Sequence, residues 1–548
     1  MPSTDCEVRT MASKKQQELT YLQMSVPTGQ NSAKITKLNW IGLNKRQELD
    51  TGELSAECNI STSAAPYLIP SEQRQIYSDK QYENPISMFG FDDFLLVVYR
   101  DNKKIKIDYI TKQLDIYTGV LNSNASTTDN RPRSIVKFNV YDDPSSVEFD
   151  GGFTSKLLIY PDKKSMDFET DSDFTPKAMD MTAIEFTNSE EPYTPGSDAD
   201  TDCYYYNTYN QTYYAYNKDS LTWYETILNR VPEFSAVTVH LSRVFGIKDD
   251  KVYASAFNDY ANFNLDTADE TNTANAWFTT SQSNTKSKGN FVGITTYGGQ
   301  VICFKHDFMH EIYNTKNPFR LNDVFAEGTI DNRTIQDVDG KLIFVSADGV
   351  KIYTGSNPRI ISYNLNVDKI YYAVSGTDKR KYYLYCGTRE KDHNLFVYDT
   401  YTDEWAEESI DFEVKSFVHN ENGMFLLGSD GYVYKMDTRK YSHNWSFETD
   451  FSTQSNVDIK HIAKISMLVD IKKGADFKVY AVYDDEEFDE NTSQLLYSSS
   501  GYGKKSVRVK TRQTANYGFK LHFCGFGYVK FYEMCVSVTN GGDLYVTI

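Results

Sequence analysis

The sequence lacks a paired-cysteine signature, a long apolar run and a clustered basic tract. Its seven cysteines (Cys6, Cys58, Cys203, Cys303, Cys386, Cys524 and Cys535) include no CxxC pair and are odd in number. That argues against a disulfide framework and a cysteine zinc site, and fits a reducing compartment. The first residues, MPSTDCEVRTMASKKQQEL, carry no apolar signal core. The longest strongly apolar run, 94–99, is far shorter than the roughly 20 residues a membrane helix needs. The expectation is a soluble chain that uses no secretory signal and has no stable membrane association. Lysine and arginine are also in deficit, 57 against 76 acidic residues, for a net charge of −19. Phosphate affinity comes mainly from clustered cations, so a general nucleic-acid or anionic-membrane binder is disfavoured.

Catalytic motifs are missing as well. There is no GxSxG elbow, no P-loop and no glycine-rich dinucleotide fingerprint between a strand and a helix. His306 and His310 in CFKHDFMHE invite comparison with a zinc-protease helix, but Asp307 stands where the general base is needed. The surrounding pattern is a strand, on which positions i and i+4 lie roughly 13 Å apart. Asp198, Asp200 and Asp202 resemble the start of a calcium loop, yet Cys203 replaces its glycine and Tyr209 its closing glutamate. SADGVKIY (346–353) and GSDGYVY (428–434) lack the spacer of a sialidase Asp-box, and turn chemistry alone explains their Asp-Gly pairs. A glycosidase needs two carboxylates about 5–10 Å apart, and nothing in the sequence selects a pair. The chain is therefore expected to be no enzyme, with no cofactor and no metal.

Aromatic strands are what is present. Phe, Trp and Tyr make up 14% of the chain, with 42 Tyr and 32 Phe, while the mean hydropathy is −0.55. Many rings must therefore sit on strands that are apolar on one face only. One unit recurs, an apolar strand, a tight Asp/Asn/Gly turn and a second strand ending in an aromatic, at 94–109, 155–168, 242–255, 299–313, 341–353, 381–398 and 423–436. From 299 onward the units start at 299, 341, 381 and 423, the spacing of a four-stranded propeller blade. YNKDSLTW (216–223) and YDTYTDEW (398–405) each place Trp seven residues after Tyr, as kelch-type blades do.

The predicted fold is all-β: a β-propeller of six to eight blades, seven favoured, over 86–445, with long loops inserted at 119–133, 161–202 and 257–290. Residues 1–85 form an N-terminal arm and first strands, with one short helix at 12–23. Residues 446–548 form a C-terminal β-sandwich. Two features are candidate partner or subunit contacts. Tyr204, Tyr205, Tyr206 and Tyr213 belong to a tyrosine cluster suited to cross-strand pairing, subunit contact or sugar stacking. Arg508, Lys510 and Arg512 alternate with Val507, Val509 and Thr511, so one strand presents a basic face, either solvated or set against an acidic neighbouring subunit.

Four stretches resemble a known family. GLNKRQELDTGELSAECNISTSAAPYLIPSEQR (42–74) is similar to the N-terminal motif of phage virion proteins, and 231–263 to their Arg-hydrophobic-Gly and Val-Tyr-x-Ser strand pair. Residues 294–313 with 328–362, and the terminal KKSVRVKTRQTANYGFKLHFCGFGYVKFYEM, resemble the same family. It is that of the tail-hub, nozzle or packaged-DNA-stabilisation proteins of short-tailed bacteriophages. The resemblance implies a tail protein of the virion, assembled in the host cytoplasm. It implies a homo-oligomeric ring, commonly a hexamer, below the portal and adaptor at the head–tail connector, with tail fibres as further neighbours. That ring would line or close the DNA channel, retaining the genome and then ejecting it without sequence-specific binding. The alternative reading is a propeller glycoside hydrolase or a glycan-binding receptor-recognition protein. If about six copies each near −19 surround a channel, an acidic lumen would keep DNA from sticking.

Overall fold

Seven apolar hairpins in one chain need partners on both faces, and stacking them around an axis supplies those partners. The computed structural model describes residues 34–38, 40–46, 49, 52–141, 152–167, 174–180, 183–186, 204–208, 211–217, 222–226, 230–264, 273–279, 287–367, 369–388, 391, 393–449, 460–484, 486–509 and 517–540. Seven four-stranded sheets, blades 1 to 7, begin at the strands Pro85–Phe91, Ser134–Tyr141, Ala236–His240, Gly293–Tyr297, Gln336–Val338, Tyr372–Thr377 and Val414–Asn420. Within blades 1 to 6 the strands run antiparallel in meander order, as do the first three strands of blade 7. The chain is an all-β propeller.

The middle strands are apolar on both faces because each blade is sandwiched between two others. In Phe94–Asp101, Leu95 and Val97 pack with Phe425 and Leu427 of blade 7, while Leu96 and Val98 pack with Leu157 and Ile159 of blade 2. The two sets alternate as the period of a strand requires. Further clusters join blades 2 and 3 (Leu158 with Phe234), 3 and 4 (Phe245 with Phe319), 4 and 5 (Phe304 with Phe344), 5 and 6 (Val345 with Leu384), and 6 and 7 (Tyr385 with Leu426). The cluster between blades 7 and 1 closes the ring. Each fully buried Leu, Val or Phe contributes about 1.5–3 kcal/mol, so every seam is held by several such side chains. At most seams the first strands of adjoining blades touch, as Val414–Asn420 touches Pro85–Phe91, so they line the axis.

The chain's early strands are built into later sheets. Gln75–Ile76 is the fourth strand of blade 7, paired with Val433–Lys435. Lys34–Leu38 joins the sheet of Val529–Asn540, Lys460–Ile471 and Gly503–Val509. Leu54–Cys58 joins the sheet of Asn444–Thr449, Phe519–Phe526, Asp476–Tyr483 and Gln494–Ser498. These two sheets share one core, in which Trp445, Phe447 and Phe523 of one meet Val469 and Phe531 of the other, and form the C-terminal β-sandwich. Trp445 is buried in it, so the sandwich starts at Asn444, two residues before the expected 446.

All three segments expected to be loops carry strand residues: 119–122 are the end of Ile116–Asn122, the strand that completes blade 1. Residues 161–202 include Lys164–Asp167 and Lys177–Ala178, which complete blade 2, and 257–290 includes Trp277–Phe278, which completes blade 3. The outer strands of blades 2 and 3 are two residues long, and Lys177 and Ala178 are both exposed, so they leave no apolar pattern. Between blades 2 and 3 an extra sheet is inserted, Ala183–Phe186 parallel to Tyr204–Asn207, followed by Thr212–Asn217 and Thr222–Thr226. The helix expected at 12–23 lies outside the described residues.

Candidate functional site

Two cavities and two surfaces carry the polar chemistry of the molecule. The first cavity, about 300 Å³, sits where the innermost strands of blades 2 to 5 begin, so it opens at the axial end of the ring. Arg131, Arg133, Glu233, Asp331 and Arg333 line it. Arg133 has a fully buried side chain and forks onto two carboxylates: Nε donates to Asp162 Oδ2 at 2.8 Å, and Nη2 to Asp162 Oδ1 at 3.1 Å and Asp129 Oδ2 at 3.2 Å. Arg131 Nε donates to Asp129 Oδ1 at 3.0 Å, and Arg333 Nη2 to Asp331 Oδ2 at 2.8 Å. Burial alone would raise the Asp129 pKa, but hydrogen bonds from Arg131 and Arg133 more than reverse it and hold the carboxyl below its usual range. Asp129, Asp162 and Asp331 each accept hydrogen bonds from guanidinium groups, which suits rigid ion-paired walls.

The second cavity, about 370 Å³, lies between blades 6 and 7 under the N-terminal segment, lined among others by Ser71, Glu72, Arg380, Tyr383, Glu408 and His419. Burial raises the Glu408 pKa, against Arg74 and Lys381, and Arg74 Nη1 donates to its Oε2 at 2.9 Å. Beside it runs the outer strand Glu404–Glu408 of blade 6, on which the N-terminal segment lies. Leu43 N donates to Trp405 O at 2.9 Å, Asn59 N to Glu407 O at 2.9 Å, and Glu407 N to Glu57 Oε1 at 2.9 Å. Glu404 is pushed up to about 7 by burial and by Asp399. A carboxyl near 7 could serve as a general acid in an open cleft, but Glu404 is packed directly against Gly42. It is half-buried, with the chain's own arm against one side.

The tyrosine cluster falls in the inserted sheet. Tyr204 and Tyr205 lie on the strand Tyr204–Asn207, opposite Ala215 and Tyr214. Tyr206 and Tyr213 are cross-strand partners with ring centroids 4.6 Å apart. Tyr224 of the neighbouring strand is 52% exposed, so this sheet presents aromatic surface away from the blade cores. Arg508 points outward from Gly503–Val509 while Val507 and Val509 enter the sandwich core. Lys510 and Arg512 lie outside the described residues, as do Asp198, Asp200 and Asp202.

The remaining motif residues have structural places. His306 is exposed in a turn, whereas His310 is fully buried with Nδ1 2.9 Å from Asp323 Oδ1. Burial lowers the His310 pKa against the pull of Asp323. Both Asp-Gly pairs turn the chain: Gly349 has φ +136° and Gly431 φ +89°, and Asp430 Oδ2 accepts from the Tyr434 hydroxyl at 2.5 Å. Among the described residues no group of three or more His, Cys, Asp or Glu side chains is arranged to hold a metal ion, and no helix is long and apolar enough to cross a membrane. Cys303 and Cys386 act as small apolar residues in the seams between blades 3 and 4 and blades 5 and 6.

The sequence missed the arginine-lined mouth and the acid-rich seam beneath the arm. Their residues come from stretches far apart in the chain, such as 57 and 407, and only folding brings them together.

No protein-family model matches the chain, and no curated protein matches it. Among solved structures it is similar to BamB from Moraxella catarrhalis, at 9% identity and a TM-score of 0.32, covering 74% of this chain and 98% of that one. It is also similar to the β-propeller domain of the Trilobed protease from Pyrococcus furiosus, at 8% identity and a TM-score of 0.30, covering 67% of this chain and 95% of that one. The computationally designed Ika8 protein matches at 11% identity and a TM-score of 0.32, over 66% of this chain and 98% of that one. The class of protein, a β-propeller carrying a β-sandwich, rests on the sheet order and the seven seams described above.

Proposed function

We propose that the chain is a structural, non-enzymatic subunit of a short-tailed phage virion. In this reading it forms a ring, commonly of six copies, at the hub or nozzle below the portal and adaptor. There it lines or closes the DNA path and takes part in genome retention and ejection. The observation that carries the reading is where the ionisable groups are spent. At the axial mouth Asp129 and Asp162 are locked onto Arg133, and Glu404, whose carboxyl burial raises to about 7, is half-buried with Gly42 of the arm packed against it. The surfaces left open are aromatic and charged faces on the inserted sheet and the sandwich, which suit subunit contacts. The similarity of 42–74, 231–263 and 328–362 to tail-hub and nozzle proteins supports the same reading, as does a net charge of −19, which would keep DNA moving past. Cryo-electron microscopy of the particle, with the chain fitted to density, tests it. A ring below the adaptor is expected. A position at a fibre tip, or a lumen lined by cations, overturns it.

A further inference from the structure

The sandwich separates its charges. On the outer face of the sheet containing Gly503–Val509, Lys504 and Arg508 are exposed, and Lys464 on Lys460–Ile471 is exposed beside them. Arg508 lies opposite Ser466, so no carboxylate faces it across the ladder. Toward the other end of that face the cations rest on rings, with Lys504 Nζ 4.2 Å from the Tyr532 ring and Lys530 Nζ 4.5 Å from that of Tyr67. The face is not uniformly basic. Asp470 lies between Lys504 and Lys530 in register, where Lys472 reaches it at 3.4 Å, and Glu533 stands exposed on Val529–Asn540. A duplex-binding track would need a longer run of cations free of carboxylates.

The opposite charge stands on the other sheet of the same module. The connection from Asp476–Tyr483 to Gln494–Ser498 reads DDEEFDE at 484–490, six acids in seven residues. Some of these have local work: Asp484 Oδ1 accepts from Tyr517 N at 2.8 Å, Asp489 Oδ1 from Asn491 N at 3.0 Å, and Glu490 pairs with Lys478 at 2.7 Å. Phe488 stacks on His522 at 3.6 Å with an interplanar angle of 7°, which anchors the loop. Glu486 and Glu487 are left exposed. Among the described residues no ion pair joins either of them to Lys464, Lys504 or Arg508. An anchored loop loses little conformational freedom on docking.

We infer that the acidic loop of one copy docks on the basic outer face of the sandwich of the next copy, with Glu486 and Glu487 against Lys464, Lys504 and Arg508. Made once between each pair of copies, such a contact of two different surfaces is head-to-tail, the kind that closes into a ring when the rotation per subunit divides the circle. The inference rests on the reading of the chain as a ring subunit and names the contact that would join the copies.

The test is a charge swap on the full chain, read by sedimentation velocity at low and high salt. Arg508→Glu and Glu487→Lys each lie on exposed faces, and thermal melts check that each variant folds. Each single reversal is expected to weaken assembly at least about tenfold, and the double variant R508E/E487K is expected to recover it. Assembly unchanged in the single variants overturns the contact while leaving a ring built on other surfaces. Loss without recovery in the double variant overturns the pairing of Arg508 with Glu487, because Arg508 then meets another surface of the neighbouring copy. A wild-type chain that retains a duplex oligonucleotide, with R508E losing it, overturns it in favour of nucleic acid. A wild-type chain that stays monomeric at all concentrations also overturns the contact, and the position of the chain in the particle then decides the ring separately.

Discussion

Glu57 and Glu407 bind the chain's beginning to its sixth blade: the Glu407 backbone N–H donates to Glu57 Oε1 at 2.9 Å, while Glu57 Oε2 is buried without a hydrogen-bond partner. Lys45 and Lys391 hold the Glu407 carboxylate at 2.5 and 3.3 Å, while neither forms an ion pair with Glu57 among the described residues. Burial therefore raises the Glu57 pKa well above its ordinary value, and Glu404, on the same seam, reaches about 7.

A pH dependence follows. For a carboxyl whose folded pKa is raised, the native state holds more protons than the unfolded one between the two values. For Glu404 that window runs from its ordinary 4.5 to about 7, so its stabilising contribution is present below the window and is lost as pH rises through it. The limit is about 1.4 kcal/mol per proton per pH unit. Glu404→Gln should flatten the melting temperature between pH 5 and 7, with the variant at least as stable as wild type at pH 7. A variant that melts lower at pH 7 would contradict the assignment. Glu448 acts in the opposite sense: burial alone would raise it, but His522 and Lys520 pull it below its usual range, so its contribution fades on acidification.

Arg133→Met should cost about 3–5 kcal/mol, because it strands Asp162 as a buried charge and leaves Asp129 to Arg131 alone. Urea denaturation of the full chain reads the loss. A change below about 1 kcal/mol would show that the axial mouth is not held by this network.

Trp405→Phe leaves a smaller aromatic ring and removes the Nε1 donor that reaches Ile361 O at 2.7 Å, so it should cost at least about 1–3 kcal/mol in a thermal melt. Trp445→Phe is expected to act similarly in the sandwich through the loss of its bond to Gly527 O at 2.8 Å. A neutral result at either site would mean that the carbonyl finds another donor.

Gly431→Ala tests the turn that brings blade 7 against the arm. Its φ of +89° disfavours a side chain, and an added Cβ would come within 2.3 Å of Tyr82 O. Hydrogen–deuterium exchange should rise in Val433–Lys435 and Gln75–Ile76, the pair that joins the arm to the last blade. Unchanged protection there would contradict the role of this turn in holding the seam.

The middle of every blade was legible in the sequence because those strands are covered on both sides. FLLVVY at 94–99 and KYYLYCG at 381–387 are near-continuous apolar runs, and all seven expected hairpins are the second and third strands of the seven blades. The Tyr-to-Trp spacing was legible too: Tyr398 faces Trp405 and Tyr216 faces Trp223 as register partners, with the first pair of rings 5.0 Å apart. First strands such as Ala236–His240 are half polar, and outer strands such as Arg359–Ile360 span two exposed residues. Neither leaves a pattern to read. The inserted sheet escaped notice because its first strand follows a long polar stretch, although its tyrosines stood out. Seams such as Glu57 with Glu407 depend on contacts across 350 residues, and no local pattern encodes them.

The central claim is that this propeller is a ring-forming tail subunit, and cryo-electron microscopy of intact particles tests it most directly. The account predicts a closed ring of copies below the adaptor, with neighbouring chains meeting through sandwich and inserted-sheet surfaces and an acidic face toward the DNA. A single copy at a fibre tip with a glycan in its axial cavity would contradict it.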